Sequence, residues 1–185
     1  MSTIVSKHLY CKQGTAETGQ PFLLRPAYPK DGPVIVDNIN AICAEEVYLQ
    51  TDNFVKSLVW EHVITKGIDK ENRQLLSVIE IQNKVVGHGR LFPGPYGHKD
   101  HHVTNAGLAI IAPYRGIGLG KAVLRYLIEW AQAMGYEKMV AEVMACNERS
   151  LHLFESFGFE REGVRHKQLK VQGNYVDEIM IAKWL

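Results

Sequence analysis

The chain is short of several things, and each shortage removes a class of function. Only three cysteines occur in 185 residues, Cys11, Cys43 and Cys146. They are widely spread, odd in number and never in CxxC or CxH spacing, so neither a disulfide scaffold nor a zinc site is expected. No apolar stretch approaches the roughly 20 residues that a membrane-spanning helix needs. The opening Met1-Ser2-Thr3-Ile4-Val5-Ser6-Lys7 lacks the apolar run of a signal peptide. An excess of one charge is missing too, since 21 Lys and Arg against 20 Asp and Glu leave a net charge of +1. That balance offers no electrostatic footprint for nucleic acid and no polybasic block for a membrane surface. The expectation is a reduced, cytoplasmic protein with neither nucleic acid nor membrane as a partner.

What is present reads as one folded domain. A hydrophobic content of 46% with 22% charged residues is ordinary for a globular chain, and the length is enough to bury a core. Residues 1–20 are polar and contain Lys12-Gln13-Gly14-Thr15, a loose segment or weak leading strand, so the domain proper is expected over 21–185. Phe22-Leu23-Leu24-Arg25-Pro26-Ala27 reads as a short first strand ended by proline. Val36, Ile39, Ile42 and Cys43 have helical spacing. So do Phe54, Val55, Leu58, Val59, His62 and Val63, with Thr51, Asp52 or Asn53 as caps.

Residues 75–81 form a strand pattern that turns at Gln82-Asn83-Lys84 into residues 85–91, a hairpin signature. A Pro/Gly/His loop over 93–102 precedes another apolar strand, 103–111. A helix to about residue 134 shows Val123, Leu124, Leu127, Ile128 and Ala131 on one face, with Gly135 as its stop. Residues 138–146 are a strand, residues 148–157 a helix stopped by Gly158, and the end a hairpin around Gln172-Gly173-Asn174. This order predicts an α/β fold with one mixed sheet of about six to seven strands, flanked by about four helices.

The informative segment is Arg115-Gly116-Ile117-Gly118-Leu119-Gly120-Lys121, placed between a strand and a strong helix. Three glycines let the backbone turn tightly and approach a ligand. The first helical N–H groups lack internal partners and the macrodipole adds positive character, so the junction suits a phosphate, with Arg115 and Lys121 as added charge. A P-loop is excluded because Arg115 and Ala122 stand where it needs glycine and Ser/Thr. The dinucleotide fingerprint is GxGxxG, whereas Gly116, Gly118 and Gly120 are spaced GxGxG.

With its preceding strand Leu108-Ala109-Ile110-Ile111, this loop resembles the acetyl-CoA loop of GNAT acetyltransferases, Arg/Gln-x-x-Gly-x-Gly/Ala. A second block, Glu142-Val143 through Asn147, Ser150, Leu151, Leu153-Phe154-Glu155-Ser156-Phe157-Gly158-Phe159, resembles the strand, helix and Gly-Phe stop of the same family. The resemblance covers about residues 75–185 and includes the branch with ribosomal-protein, phosphinothricin and amino-acid acetyltransferases. It implies a single GNAT-type domain using acetyl-CoA as co-substrate. Backbone amides of Ile117, Gly118, Leu119, Gly120 and Lys121 would hold the pyrophosphate, beside Arg115 and Gly116. Backbone groups of Leu108 and Ile110 would bond pantetheine, and an amide near Ile110 would polarise the thioester carbonyl. Asn147 and Ser150 would line the other side of the cofactor arm, although Asn147 also suits a helix N-cap.

An amine attacks a thioester only when neutral, and a carboxylate near the acceptor can take its proton. Glu142 lies in an otherwise apolar strand, where a carboxylate needs a partner or a purpose, and it falls where the ribosomal-protein branch carries a glutamate. A salt-bridged structural role is the alternative. The family's usual acid is a tyrosine where this chain has Phe154, which cannot donate a proton; water or Tyr175 could serve instead. His98, His101 and His102 lack the carboxylate or cysteine of a metal set, so no metal is expected and their loop is a candidate to close over the acceptor. His88 reads as packing. The acceptor is expected to be a primary amine of a small molecule or amino acid, attacked in a ternary complex. A peptide or protein N-terminus is the second reading, and an acyl-CoA-binding sensor without turnover the third. A homodimer is common in the family.

Overall fold

In the computed structural model, which describes residues 11–52 and 66–185, the chain begins with β1 (Lys12–Thr15), β2 (Pro21–Pro26) and α1 (Gly32–Cys43). There follow β3 (Ile68–Asp69), β4 (Gln74–Ile81), β5 (Lys84–Pro93), β6 (Val103–Ile110) and α2 (Leu119–Ala133). β7 (Lys138–Met144), α3 (Glu148–Glu155), β8 (Glu160–Val171) and β9 (Asn174–Trp184) complete the described residues.

Local chemistry makes the two long hairpins. Gln82 and Asn83 both take positive φ, at 50° and 61°, and so do Gln172 and Gly173, at 48° and 82°. Two successive residues of that kind form the type I′ turn whose twist matches the flanking strands. The nine strands make one sheet in the order β1-β2-β4-β5-β6-β7-β9-β8, with β3 paired to β4. β6 and β7 are its one parallel pair among the described residues, and α2 is the crossover that such a pair requires. Their pairing lasts for three residues, from Val103↔Lys138 to Asn105↔Val140. Beyond that the strands part, while β7 stays paired to β9 as far as Met144↔Glu178. The parting is the feature that positions the site.

Both faces of the sheet are covered. Tyr126, Leu127 and Trp130 of α2 are fully buried against one face, with Met139, Ala141 and Val143 of β7 in the same cluster. Each such side chain contributes about 1.5–3 kcal/mol when removed from water. Ile35, Ile39 and Cys43 of α1 cover the other face with Leu76, Val78 and Val85. Side chains alternate along a strand, so Glu142 is turned to the α1 side. There, Arg25 of β2 binds the buried Asp31 at 2.6 Å and Glu80 at 2.6 Å, tying the start of α1 to the sheet.

Nine strands exceed the six to seven expected. Lys12–Thr15 carries one polar tetrapeptide and Ile68–Asp69 only two residues, too few for any alternation to show. Three α-helices lie among the described residues rather than about four. The second helix expected from the sequence, residues 54–63, lies outside them. Among the described residues no helix is long and apolar enough to cross a membrane.

Candidate functional site

A cleft of about 320 Å³ opens beside the parted end of β6, lined by Leu108, Ile110, Gly118, Lys121, Asn147 and Ser150 among others. The N–H of Ile111 donates to Val86 O of β5 at 3.0 Å. Peptide groups alternate in direction along a strand, so those of Leu108 and Ile110 point away from β5, towards the opening. The edge expected to meet pantetheine therefore faces the cleft. The carbonyl of Ile110 is already engaged, accepting from Arg115 Nε at 2.6 Å.

The glycine loop turns through Gly116 and Gly118, at φ 78° and 86°. These are left-handed conformations that cost a residue with a Cβ about 1–2 kcal/mol. Gly118 is the N-cap of α2 and supplies no side-chain cap. The first N–H groups of α2, from Leu119 to Lys121, are thus left for a ligand, at the positive end of the helix dipole. Ile117 and Leu119 turn their side chains into the core and offer only backbone. A Cβ on Gly120 would lie 3.2 Å from Leu153 Cδ2, so α2 and α3 are close together there.

Arg115 lines the cleft and also holds an ion pair that the sequence does not announce. Its Nη1 and Nη2 donate to the two oxygens of Glu45, both at 2.7 Å, and its guanidinium lies 4.2 Å from the Tyr48 ring centre. These hydrogen bonds hold the Glu45 carboxyl below its usual range. Arg115 therefore ties the segment after α1 to the end of β6. The cations on the cleft wall are Arg115, Lys121 and Arg149, the last of which the sequence pattern passes over. Arg149 Nη2 would stand 3.1 Å from a Cβ on Gly116. Asn147 caps α3, its Oδ1 accepting from the Ser150 N–H at 3.1 Å, and it lines the cleft as well.

On the α1 side of the sheet, Glu142 Oε2 accepts from Asn105 Nδ2 at 2.7 Å. A neutral amide orients the carboxylate without adding charge. The Glu142 carbonyl accepts from Gln50 Nε2 at 3.0 Å, and that amide also donates to Glu178 Oε1 at 3.3 Å. Glu178 is buried and bound by Arg165 at 2.6 Å. Asn105, Gln50 and Glu178 carry no local sequence signal. Nearby, Arg90 is half-buried; burial lowers its proton affinity, and the charge of Glu142 opposes that.

Phe154 is in the core, edge-to-face with Phe159 at 4.9 Å between ring centres, and brings no oxygen to the cleft. Tyr175 is exposed at the hairpin tip beside Lys170, whereas the β9 partner of Glu142 is Met180. Tyr175 is thus five residues away along its strand. His98, His101 and His102 precede the start of β6, the end opposite the parting. There, His101 Nδ1 bonds the His98 carbonyl at 2.9 Å and His102 stacks on Trp184. His88 is buried, which drops its pKa to about 4 and leaves it neutral.

Residues 37–159 match the model of the Acetyltransferase (GNAT) family. The chain is 27% identical over 171 residues to the SPbeta prophage-derived uncharacterized N-acetyltransferase YokL of Bacillus subtilis (strain 168), covering 88% of this chain and 89% of that one. It is 31% identical over 75 residues to the ribosomal protein bS18-alanine N-acetyltransferase of Escherichia coli (strain K12), covering 40% of this chain and 51% of that protein. The fold superimposes on a GNAT superfamily phosphinothricin acetyltransferase from Sinorhizobium meliloti, solved in complex with acetyl-CoA. That match has a TM-score of 0.79 at 20% identity, covering 93% of this chain and 89% of the other.

Proposed function

The chain belongs to the GNAT family of acetyltransferases, and we propose that it moves the acetyl group of acetyl-CoA to a primary amine by direct attack in a ternary complex. The observation that carries this reading is one juxtaposition. The uncapped N-terminus of α2 adjoins the parted edge of β6, and an amide-oriented carboxylate lies on the neighbouring strand.

The residues fit the cofactor. N–H groups from Ile117 to Lys121 hold the pyrophosphate, with Lys121 and Arg149 adding charge. Peptide groups of Leu108 and Ile110 take the pantetheine arm along the open edge of β6, with Asn147 and Ser150 opposite. When bound, acetyl-CoA supplies a thioester carbonyl, which an amide near Ile110 polarises.

Glu142 accepts the proton of the attacking amine, directly or through one water. A C–N bond forms, the C–S bond breaks, and CoA departs as a thiolate. A thiol ionises near pKa 8.5, so departure needs no hydroxyl at position 154. Similarity to the bS18-alanine enzyme over 75 residues favours a peptide N-terminus as the second acceptor class.

The test is a thermal-unfolding titration with acetyl-CoA, beside ATP and NAD at equal concentration, followed by CoA release with an amine panel. Acetyl-CoA at a hundred times its Kd stabilises by about 2.7 kcal/mol. An equal shift with NAD, or none with acetyl-CoA, overturns the cofactor reading. Tight binding without CoA release from any amine makes the protein an acyl-CoA sensor.

A further inference from the structure

Arg90 lies on β5, on the face of the sheet that α1 covers. In the sheet register Arg90 of β5 pairs with Gly107 of β6, and Asn105 of β6 pairs with Val140 of β7. Two residues further on, Gly107 comes level with Glu142. Arg90, Gly107 and Glu142 therefore form a row across three neighbouring strands, on the face that α1 covers. The guanidinium lies over the middle member of that row. A Cβ on Gly107 would stand 2.9 Å from Arg90 Nε and 3.2 Å from its Cζ, so only glycine leaves it room.

Arg90 makes no ion pair among the described residues; its contact is the Phe92 ring, 5.2 Å from Cζ to the ring centre. By contrast, Arg25, Arg115 and Arg165 of the same sheet region each hold a carboxylate. A half-buried guanidinium has lost much of its hydration and cannot shed its charge. It gains most from an anion that arrives from outside.

We propose that the acceptor carries a carboxylate close to its amine, as an α-amino acid does, and that Arg90 binds this carboxylate while the amine faces Glu142. This rests on the acetyl-transfer reading above. Between Gly107, under the guanidinium, and Glu142 lies the gap that opens where β6 and β7 part, wider than the usual strand separation of about 4.8 Å. A compact zwitterion bridges that gap. A peptide N-terminus does not, since its next group is a neutral amide.

The experiment compares free amino acids with their carboxamides as acceptors at saturating acetyl-CoA, in the wild type, Arg90→Gln and Arg90→Lys. The wild type is expected to favour the acids by about 10- to 100-fold in kcat/KM, the range for losing a charged hydrogen-bond partner. Arg90→Gln should raise KM for the acids by that factor, leave the carboxamides and the acetyl-CoA KM unmoved, and be partly rescued by Arg90→Lys. Protection of the wild type, with CoA present, by an N-acetyl amino acid over its carboxamide gives a readout independent of any variant's folding. Equal loss for acids and carboxamides in Arg90→Gln, or a wild type that prefers carboxamides, overturns the proposal while acetyl transfer stands. No CoA release with any acceptor overturns acetyl transfer itself, and protection by both N-acetyl compounds alike then removes Arg90 as a carboxylate site.

Discussion

Replacing Glu142 by Gln is the sharpest perturbation of the proposed chemistry, because the structure predicts that it removes a proton acceptor and little else. The carboxylate is half-buried and, among the described residues, makes one side-chain hydrogen bond, from Asn105 Nδ2 at 2.7 Å. A glutamine oxygen in the same place still accepts that bond, more weakly than a carboxylate does, and the Gln50 contact goes to the backbone carbonyl, which the substitution leaves alone. Neutralising Glu142 also removes the charge that offsets the burial of Arg90, so stability should fall by about 1 kcal/mol. The kinetic cost is of another size. An acceptor amine with a pKa of about 10.4 is neutral in only about one molecule in a thousand near pH 7.4. A positioned base that makes up for this contributes about 100- to 10,000-fold. Turnover in Glu142→Gln should fall by that factor, with the acetyl-CoA Kd unchanged, and the loss should shrink as rising pH deprotonates the amine in solution. The assay is CoA release from pH 6.5 to 10, beside a melting curve for each protein. An unchanged kcat at pH 7 would falsify the assignment of Glu142 as base. A collapse in melting temperature would point instead to a structural carboxylate.

Gly118→Ala forces a Cβ onto a residue at φ 86°, 3.2 Å from Glu17 Cγ. It should cost about 1–2 kcal/mol, lowering Tm by about 2–8 °C for a chain of this length. It should also weaken acetyl-CoA protection beyond that loss, and intact protection would remove the loop from the phosphate site. His88 predicts an acid sensitivity. Unfolded chains protonate it near 6.5 and the folded chain only near 4, because burial disfavours the cation. Stability is then present above pH 6.5 and falls as pH drops through that window, to a total of about 3 kcal/mol at 1.4 kcal/mol per pH unit. His88→Phe should flatten this part of a stability-against-pH curve measured in urea, and an unaltered slope would assign the acid sensitivity to other groups.

Everything legible in the sequence was local. The I′ turns at Gln82-Asn83 and Gln172-Gly173, the left-handed glycines before α2 and the Asn147 cap each depend on residues a few positions apart. Their conformational preferences act before any tertiary contact forms. That is why the strand, glycine loop and helix could be read from sequence, and why the pattern from Glu142 to Phe159 could be aligned to a family. The short strands β1 and β3 escaped because so few residues carry no periodicity.

What the tertiary structure alone decided is which distant residues meet. Asn105 reaches Glu142 across 37 positions and Arg115 reaches Glu45 across 70. The row of Arg90, Gly107 and Glu142 exists only through strand order and register. Register is fixed by burying both faces of the sheet at once, a global condition that no window of sequence contains. Hence the bond from Arg115 to Glu45 and the place of Arg90 across the sheet from Glu142, neither of which any motif announces, follow from the fold alone.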